Sequence, residues 1–60
     1  MTVYSLVFSE SGEIVDGNDY LDLDQAYDVA EMYAAEHCRS VTIFECQGAA
    51  EYEIARIRNF

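Results

Sequence analysis

Only one stretch of this chain has helical periodicity, and that restricts every architecture open to it. At 100° per residue, Leu23, Ala26, Val29, Ala30, Tyr33 and His37 gather on one side of a helix running to His37. Asp22 reads as its N-cap, with Gln25 three residues on as a capping-box partner. Asp22 and Asp24 also suit the positive end of the helix dipole. The helix is expected to end near Cys38 and Arg39, where Arg39 would face the negative end.

The rest of the chain reads as extended. Residues 2–8 (TVYSLVF) alternate, with Tyr4, Leu6 and Phe8 on one face and Val3, Ser5 and Val7 on the other. A turn at SESG leads into EIVDG, which is expected to pair back as a short second strand. SVTIFEC is rich in β-branched and aromatic residues, and EYEIARIR returns beside it after the turn QGAA. Alternation in this hairpin is not clean. Val41 and Ile43 share one face and Thr42, Phe44 and Cys46 the other, while Tyr52 and Ile54 oppose Ala55 and Ile57. Both faces of the sheet therefore carry apolar side chains.

A chain of 60 residues is one domain, 1–60, with no repeats, no linker and no proline. The expected fold is α+β: an antiparallel sheet of three to four strands in β-β-α-β-β order, with one helix packed on one face. One helix covers only one face of a sheet, so a homodimer or a bound partner is expected to cover the other. A core this small is marginal alone, since about 60% of the unfolded surface is buried at this length. The 52% apolar share, with five Tyr and three Phe, compensates in part.

Charge is the second constraint. Twelve acids stand against three arginines and no lysine, for a net charge of −9. Nine of the acids (Glu10, Glu13, Asp16, Asp19, Asp22, Asp24, Asp28, Glu31 and Glu36) come before the first base, Arg39. Such a field repels nucleic acid and anionic membranes and attracts basic surfaces. No apolar run reaches the roughly 18 residues of a membrane span, and the first residues lack the pattern of a signal peptide. The expected location is the cytoplasm.

Catalytic and metal chemistry find little support. His37 is the single histidine and has no nucleophile of recognisable geometry beside it, so it reads as a helix-end residue lying against the core. Cys38 and Cys46 fall at opposite ends of one strand, whose residues 40–46 would span roughly 20 Å at about 3.3 Å per residue. That is beyond the roughly 7 Å reach of a disulfide, and their spacing matches no zinc signature. DGNDYLDLD alternates acids through a loop, but Tyr20, Leu21 and Tyr27 occupy positions where an EF-hand needs a ligand, a glycine and a glutamate. No phosphate-binding loop is present, and Arg56 and Arg58 on one face of the last strand are too few for a nucleic-acid surface. No catalytic residue, cofactor or metal is expected.

The acidic ridge remains. Asp24, Asp28 and Glu31 at i, i+4 and i+7 set carboxylates about 5–6 Å apart by Cβ, which weakens an isolated helix by roughly a few tenths of a kcal/mol per pair. A face needed only for hydration could have included lysines. A row of negative charge along a rod imitates the phosphate backbone that basic grooves recognise. In its length, its acidic excess, the segment LDLDQAYDVAEMYA and the hairpin SVTIFECQGAAEYEIARIR, the chain resembles small acidic anti-defence proteins of phages and mobile elements, of the anti-CRISPR type. The resemblance covers about two thirds of the chain. It implies a non-enzymatic inhibitor that occupies the basic channel of a nucleic-acid-binding defence complex in a host cytoplasm. The expected contact residues are Asp19, Asp22, Asp24, Asp28, Glu31 and Glu36, with Tyr20, Tyr27 or Met32 as anchors at the edge. The competing expectation is a small homodimeric structural or regulatory module whose acids serve solubility. Its working surface would then be the apolar hairpin around Phe44 and Ile57.

Overall fold

The computed structural model of the protein describes residues 1–58. The element order is β1 (Thr2–Phe8), α1 (Leu23–His37), β2 (Val41–Gln47) and β3 (Ala50–Ile57). The strands form one antiparallel sheet in the order β1-β2-β3, so β2 is central and β3 is an edge. The α+β class with one helix on a three-stranded antiparallel sheet is as expected.

Residues 13–17 depart from expectation. They form no strand, and the order is β-α-β-β rather than β-β-α-β-β. The segment still runs along the outer edge of β1, but meets it only through two single-residue bridges, Val7–Ile14 and Tyr4–Tyr20. Phe8 donates its backbone N–H to Glu13, Val15 donates to Leu6, and Tyr4 and Tyr20 exchange both backbone bonds. Between the bridges, Asp16 bends the chain by accepting the Asn18 backbone N–H at 3.0 Å, and Gly17 takes φ 75°. A side chain that bonds its own loop in this way competes with a regular ladder. The result covers the β1 edge without adding a strand.

The core lies between α1 and the inner face of the sheet. Leu6, Phe8, Val41 and Ile43 meet Ala26, Ala30 and Ala34, all buried. The inward stripe is thus centred on an i, i+4, i+8 row of alanines, which lets the helix backbone approach the sheet closely. Leu23, Tyr27, Val29 and Tyr33 flank the row and are partly buried. Ala34 was not part of the expected stripe. His37 sits at its margin, exposed, edge-on to Phe8 at 5.4 Å and stacked near Tyr33 at 6.0 Å.

Both helix ends follow local chemistry. Asp22 is the N-cap and accepts the Asp24 backbone N–H at 3.0 Å. The bond expected from a capping box, back from Gln25, is not formed among the described residues. Cys38 closes the helix in the left-handed conformation, φ 52°, donating its N–H to Ala34. Arg39 stays at the helix end through its backbone N–H, which donates to Ala34 at 3.2 Å, while its side chain reaches across to β1 and the turn after it. Its guanidinium lies 4.0 Å above the Phe8 ring and donates to Ser11 Oγ at 3.0 Å, beside Glu13 at 4.0 Å.

The uneven alternation of the last strand has a structural cause. Ile43 pairs with Ala55, but Phe44 pairs with Glu53, so β3 carries a bulge at Ile54. One extra residue reverses the side-chain phase. Tyr52 therefore shares the inner face with Ala55 and Ile57, contrary to the alternation read from the sequence. Gln47 pairs with Ala50 across a two-residue turn, and positive φ at Gly48 but not at Ala49 matches a type II′ hairpin.

Two predictions follow from this packing. Ile43→Ala should lower the unfolding free energy by about 2–5 kcal/mol, and Ala30→Leu, by forcing the helix off the sheet, by about 1–3 kcal/mol. Urea titration reads both. The Tyr20 hydroxyl donates to Asp16, and burial first, then this bond, push its pKa up from the ordinary 10.0 to about 12. The fold thus favours the neutral phenol. Its stabilisation is whole below pH 10 and is lost as pH rises towards 12. In an alkaline absorbance titration, Tyr20→Phe should lack the latest tyrosinate step.

Candidate interaction surfaces

The helix turns one face to the core and the other to solvent. Asp24, Asp28, Glu31 and Glu36 are all exposed on the solvent side. Met32 is about half exposed among them, 47%. Two ion pairs occur among the described residues, Arg39 with Glu13 and Arg56 with Glu53. Neither arginine approaches the helix acids within ion-pair distance. The three charges of one sign at i, i+4 and i+7 are thus offset by no neighbouring cation in the described chain.

The six expected contact residues do not form one patch. Asp22 is engaged as the helix cap. Asp19 lies on the far side of the sheet from the helix, where it lines a hollow with residues of the outer face. Tyr20 and Tyr27, expected as anchors, are partly buried against the core, which leaves Met32 as the exposed apolar side chain of the helix ridge. Asp24, Asp28, Glu31 and Glu36 are thus the expected acids that stand on the helix itself, with the exposed Asp22 at its N-terminal end.

The opposite side of the molecule offers a second surface. Between the outer face of the sheet and residues 12–19 lies an open hollow of ≈ 630 Å³. Its floor comes from Val3, Ser5 and Val7 of β1 with Thr42, Phe44 and Cys46 of β2. Thr42 is 2% exposed and is satisfied by Ser9 Oγ at 2.6 Å. Ser5 Oγ lies 3.6 Å from Cys46 Sγ. Ile14, 69% exposed, stands at the loop side, and Glu51, Glu53 and Arg56 stand along β3. The floor is mostly apolar and the rim is charged. The two free cysteines are set apart, Cys38 at the helix end and Cys46 on this floor.

The sequence pointed to Phe44 on this face, but not to Val3 and Val7 as its neighbours or to the acids along its rim. The missing information was register: Ser5 opposes Phe44 and Val3 opposes Cys46. Among the described residues, no group of three or more His, Cys, Asp or Glu side chains converges as a metal site. No described helix is long and apolar enough to cross a membrane.

Compared with protein-family models, with curated proteins and with solved structures, the chain matches none. Its surfaces therefore carry the functional argument.

Proposed function

We propose that this protein is a non-enzymatic inhibitor that presents the solvent face of α1 to a basic nucleic-acid-binding complex, of the CRISPR effector type, and blocks its access to DNA or RNA. The observation that supports this is the row Asp24, Asp28 and Glu31, exposed and without a cation in reach among the described residues. A rigid helix holds these charges at a fixed pitch, as a nucleic-acid backbone holds its phosphates. Its anchoring on the alanine row leaves the acidic side free to enter a groove. Electrostatic attraction of this kind speeds encounter and weakens as salt screens it. Glu36 and Met32 extend the contact. Asp19 and Asp22 contribute to the field at longer range, Asp22 while holding the helix end. The setting for such an inhibitor is a host cytoplasm.

A second function, that of a structural or regulatory interaction module, is favoured by a different observation: the apolar floor around Val7 and Phe44 is left open. In that case the helix acids serve hydration, and the partner meets the sheet.

Two variants separate the readings. Purified effector complexes are assayed for DNA binding by anisotropy, with the inhibitor added across a salt series. Asp24→Lys combined with Asp28→Lys should abolish inhibition while circular dichroism stays native, and wild-type inhibition should fade at high salt. Full inhibition by the folded double variant would remove the mimicry proposal. Phe44→Asp should leave inhibition intact under the first reading. Under the second, it abolishes partner binding and the helix variant is harmless.

A further inference from the structure

The most uneven distribution of charge outside the helix lies along β3. Its first half carries Glu51 and Glu53, and its second half carries Arg56, with Arg58 just beyond. These are the two arginines not engaged over Phe8. In a chain of net charge −9, two of three cations thus lie at one end of one strand, with two acids at the other end.

That strand is also the open edge of the sheet. The far edge of β1 is bonded by Glu13, Val15 and Tyr20, whereas β3 has β2 on one side and, among the described residues, no strand on the other. An edge of this kind presents unpaired N–H and C=O groups to any strand that can align with them. Lysine and proline are absent from it, and the protection it carries, a bulge at Ile54 and the charges of Glu51, Glu53 and Arg56, is of mixed sign and so open to a complementary strand. Tyr52 and Ile54 on the same strand are 57% and 39% exposed.

The bulge decides how β3 would pair with itself. In an antiparallel pair of identical strands, the two-fold axis is normal to the sheet, and opposed residues must lie on the same face. On an unbulged strand, an odd spacing between opposed residue numbers would violate that match. The extra residue at Ile54 reverses the phase, so residues before the bulge match residues after it at odd spacing. Glu51 and Arg56 share the outer face, where both line the hollow. Tyr52 and Ala55 share the inner face, as their partners Glu45 and Ile43 alternate along β2. Two registers meet this face match, one opposing Glu53 to Arg56 of the second copy and one opposing Glu51 to Arg56; the first exchanges the Glu53–Arg56 pair already made within each copy, and the second leaves that pair in place. The second places Glu51 opposite Arg56 of the second copy, Tyr52 opposite Ala55 and Ala50 opposite Ile57, each twice about the axis.

We infer that β3 is a self-complementary docking edge, through which a second copy of this chain adds antiparallel to form a continuous six-stranded sheet. Two reciprocal Glu51–Arg56 pairs select the register, and backbone hydrogen bonds hold it. Each large side chain at the junction, Tyr52 and Ile57, meets a small one, Ala55 and Ala50. Within one copy, Arg56 reaches Glu53 at 3.3 Å, whereas Glu51 meets Cys46 at 3.9 Å and no cation among the described residues, so Arg56 of the second copy supplies the cation that Glu51 lacks while shared with its own Glu53. Rotation about an axis normal to the sheet keeps both helices on one side. The assembly would therefore double the acidic ridge on a single face. The dimer does not rest on the proposed inhibition, because self-association and DNA competition are separate readouts.

Charge swapping tests the edge. Sedimentation equilibrium of the wild-type chain over a concentration series should show a monomer–dimer equilibrium. Glu51→Arg sets arginine against arginine across the axis and should weaken the dimer by about tenfold or more, as should Arg56→Glu. Glu51→Arg also lowers the net negative charge, so relief of general repulsion predicts the opposite change. The combined Glu51→Arg, Arg56→Glu variant restores both cross-strand pairs and should bring association back to within about threefold of wild type. Circular dichroism and thermal melting confirm the fold of each, all changes being at exposed side chains. A wild-type chain that stays monomeric at every concentration would overturn the inference. So would a dimer indifferent to Glu51→Arg, or a folded double variant that remains monomeric.

Discussion

The contact of Ala26, Ala30 and Ala34 with Leu6, Val41 and Ile43 governs this molecule. There is one helix, and it must bury the inner face of a three-stranded sheet. Methyl-sized side chains bring the helix axis close to the central strand, so that small residues close a core without leaving a void. The larger side chains, Leu23, Tyr27, Val29 and Tyr33, then seal the flanks. The close approach fixes the rotation of the helix. With that rotation set, Asp24, Asp28 and Glu31 have no direction open to them except solvent. The acidic face is thus held in place by the packing on the other side of the same helix.

The same economy leaves two parts of the sheet less covered. The helix lies over β2 and β1, and β3 receives less of it, which is why Tyr52 and Ile54 remain exposed. The outer face has no helix at all. Residues 13–20 supply a partial substitute by bonding the β1 edge and forming one wall of the hollow. Arg39, bridging Phe8, Ser11 and Glu13, ties that loop to the end of the helix. One edge is thereby covered by backbone bonds, and the other carries only its bulge and its charges. In a domain of this size, where stability is a small difference between large terms, surface left open on one edge and one face marks the places where a partner gains most.

The exposed surfaces differ in what they offer a partner. The helix ridge offers charge without apolar area, apart from Met32, and suits fast, salt-dependent capture by a basic groove. The outer sheet face offers an apolar floor with a charged rim, the usual composition of a contact between proteins. The β3 edge offers main-chain hydrogen bonds with a charge pattern that selects register. The ridge lies across the sheet from the other two, which meet where Glu51, Glu53 and Arg56 of β3 line the hollow, and a six-stranded dimer would place the ridges and the floors on opposite sides of one sheet.

The helix, its start at Asp22, an end near Cys38, the three main strands and the exposure of the ridge acids were all legible in the sequence. Those features rest on short-range periodicity and on capping, which a run of some fifteen residues expresses locally. Its acidic excess was likewise complete in the composition. The rest arose from contacts that only the folded chain makes, most of them between residues distant in sequence. Whether residues 13–17 form a strand depended on Asp16 bonding its own loop and Gly17 bending the chain, and single-residue bridges to β1 replaced a ladder. Asp19 was separated from the other acids because its loop folds to the far face of the sheet. The phase of β3 depended on the bulge opposite Phe44, which appears only when β3 is aligned against β2. Local alternation assigns a side chain to one of two faces. Only pairing between strands distant in sequence establishes which face is the core, where the phase reverses and which edge is left open.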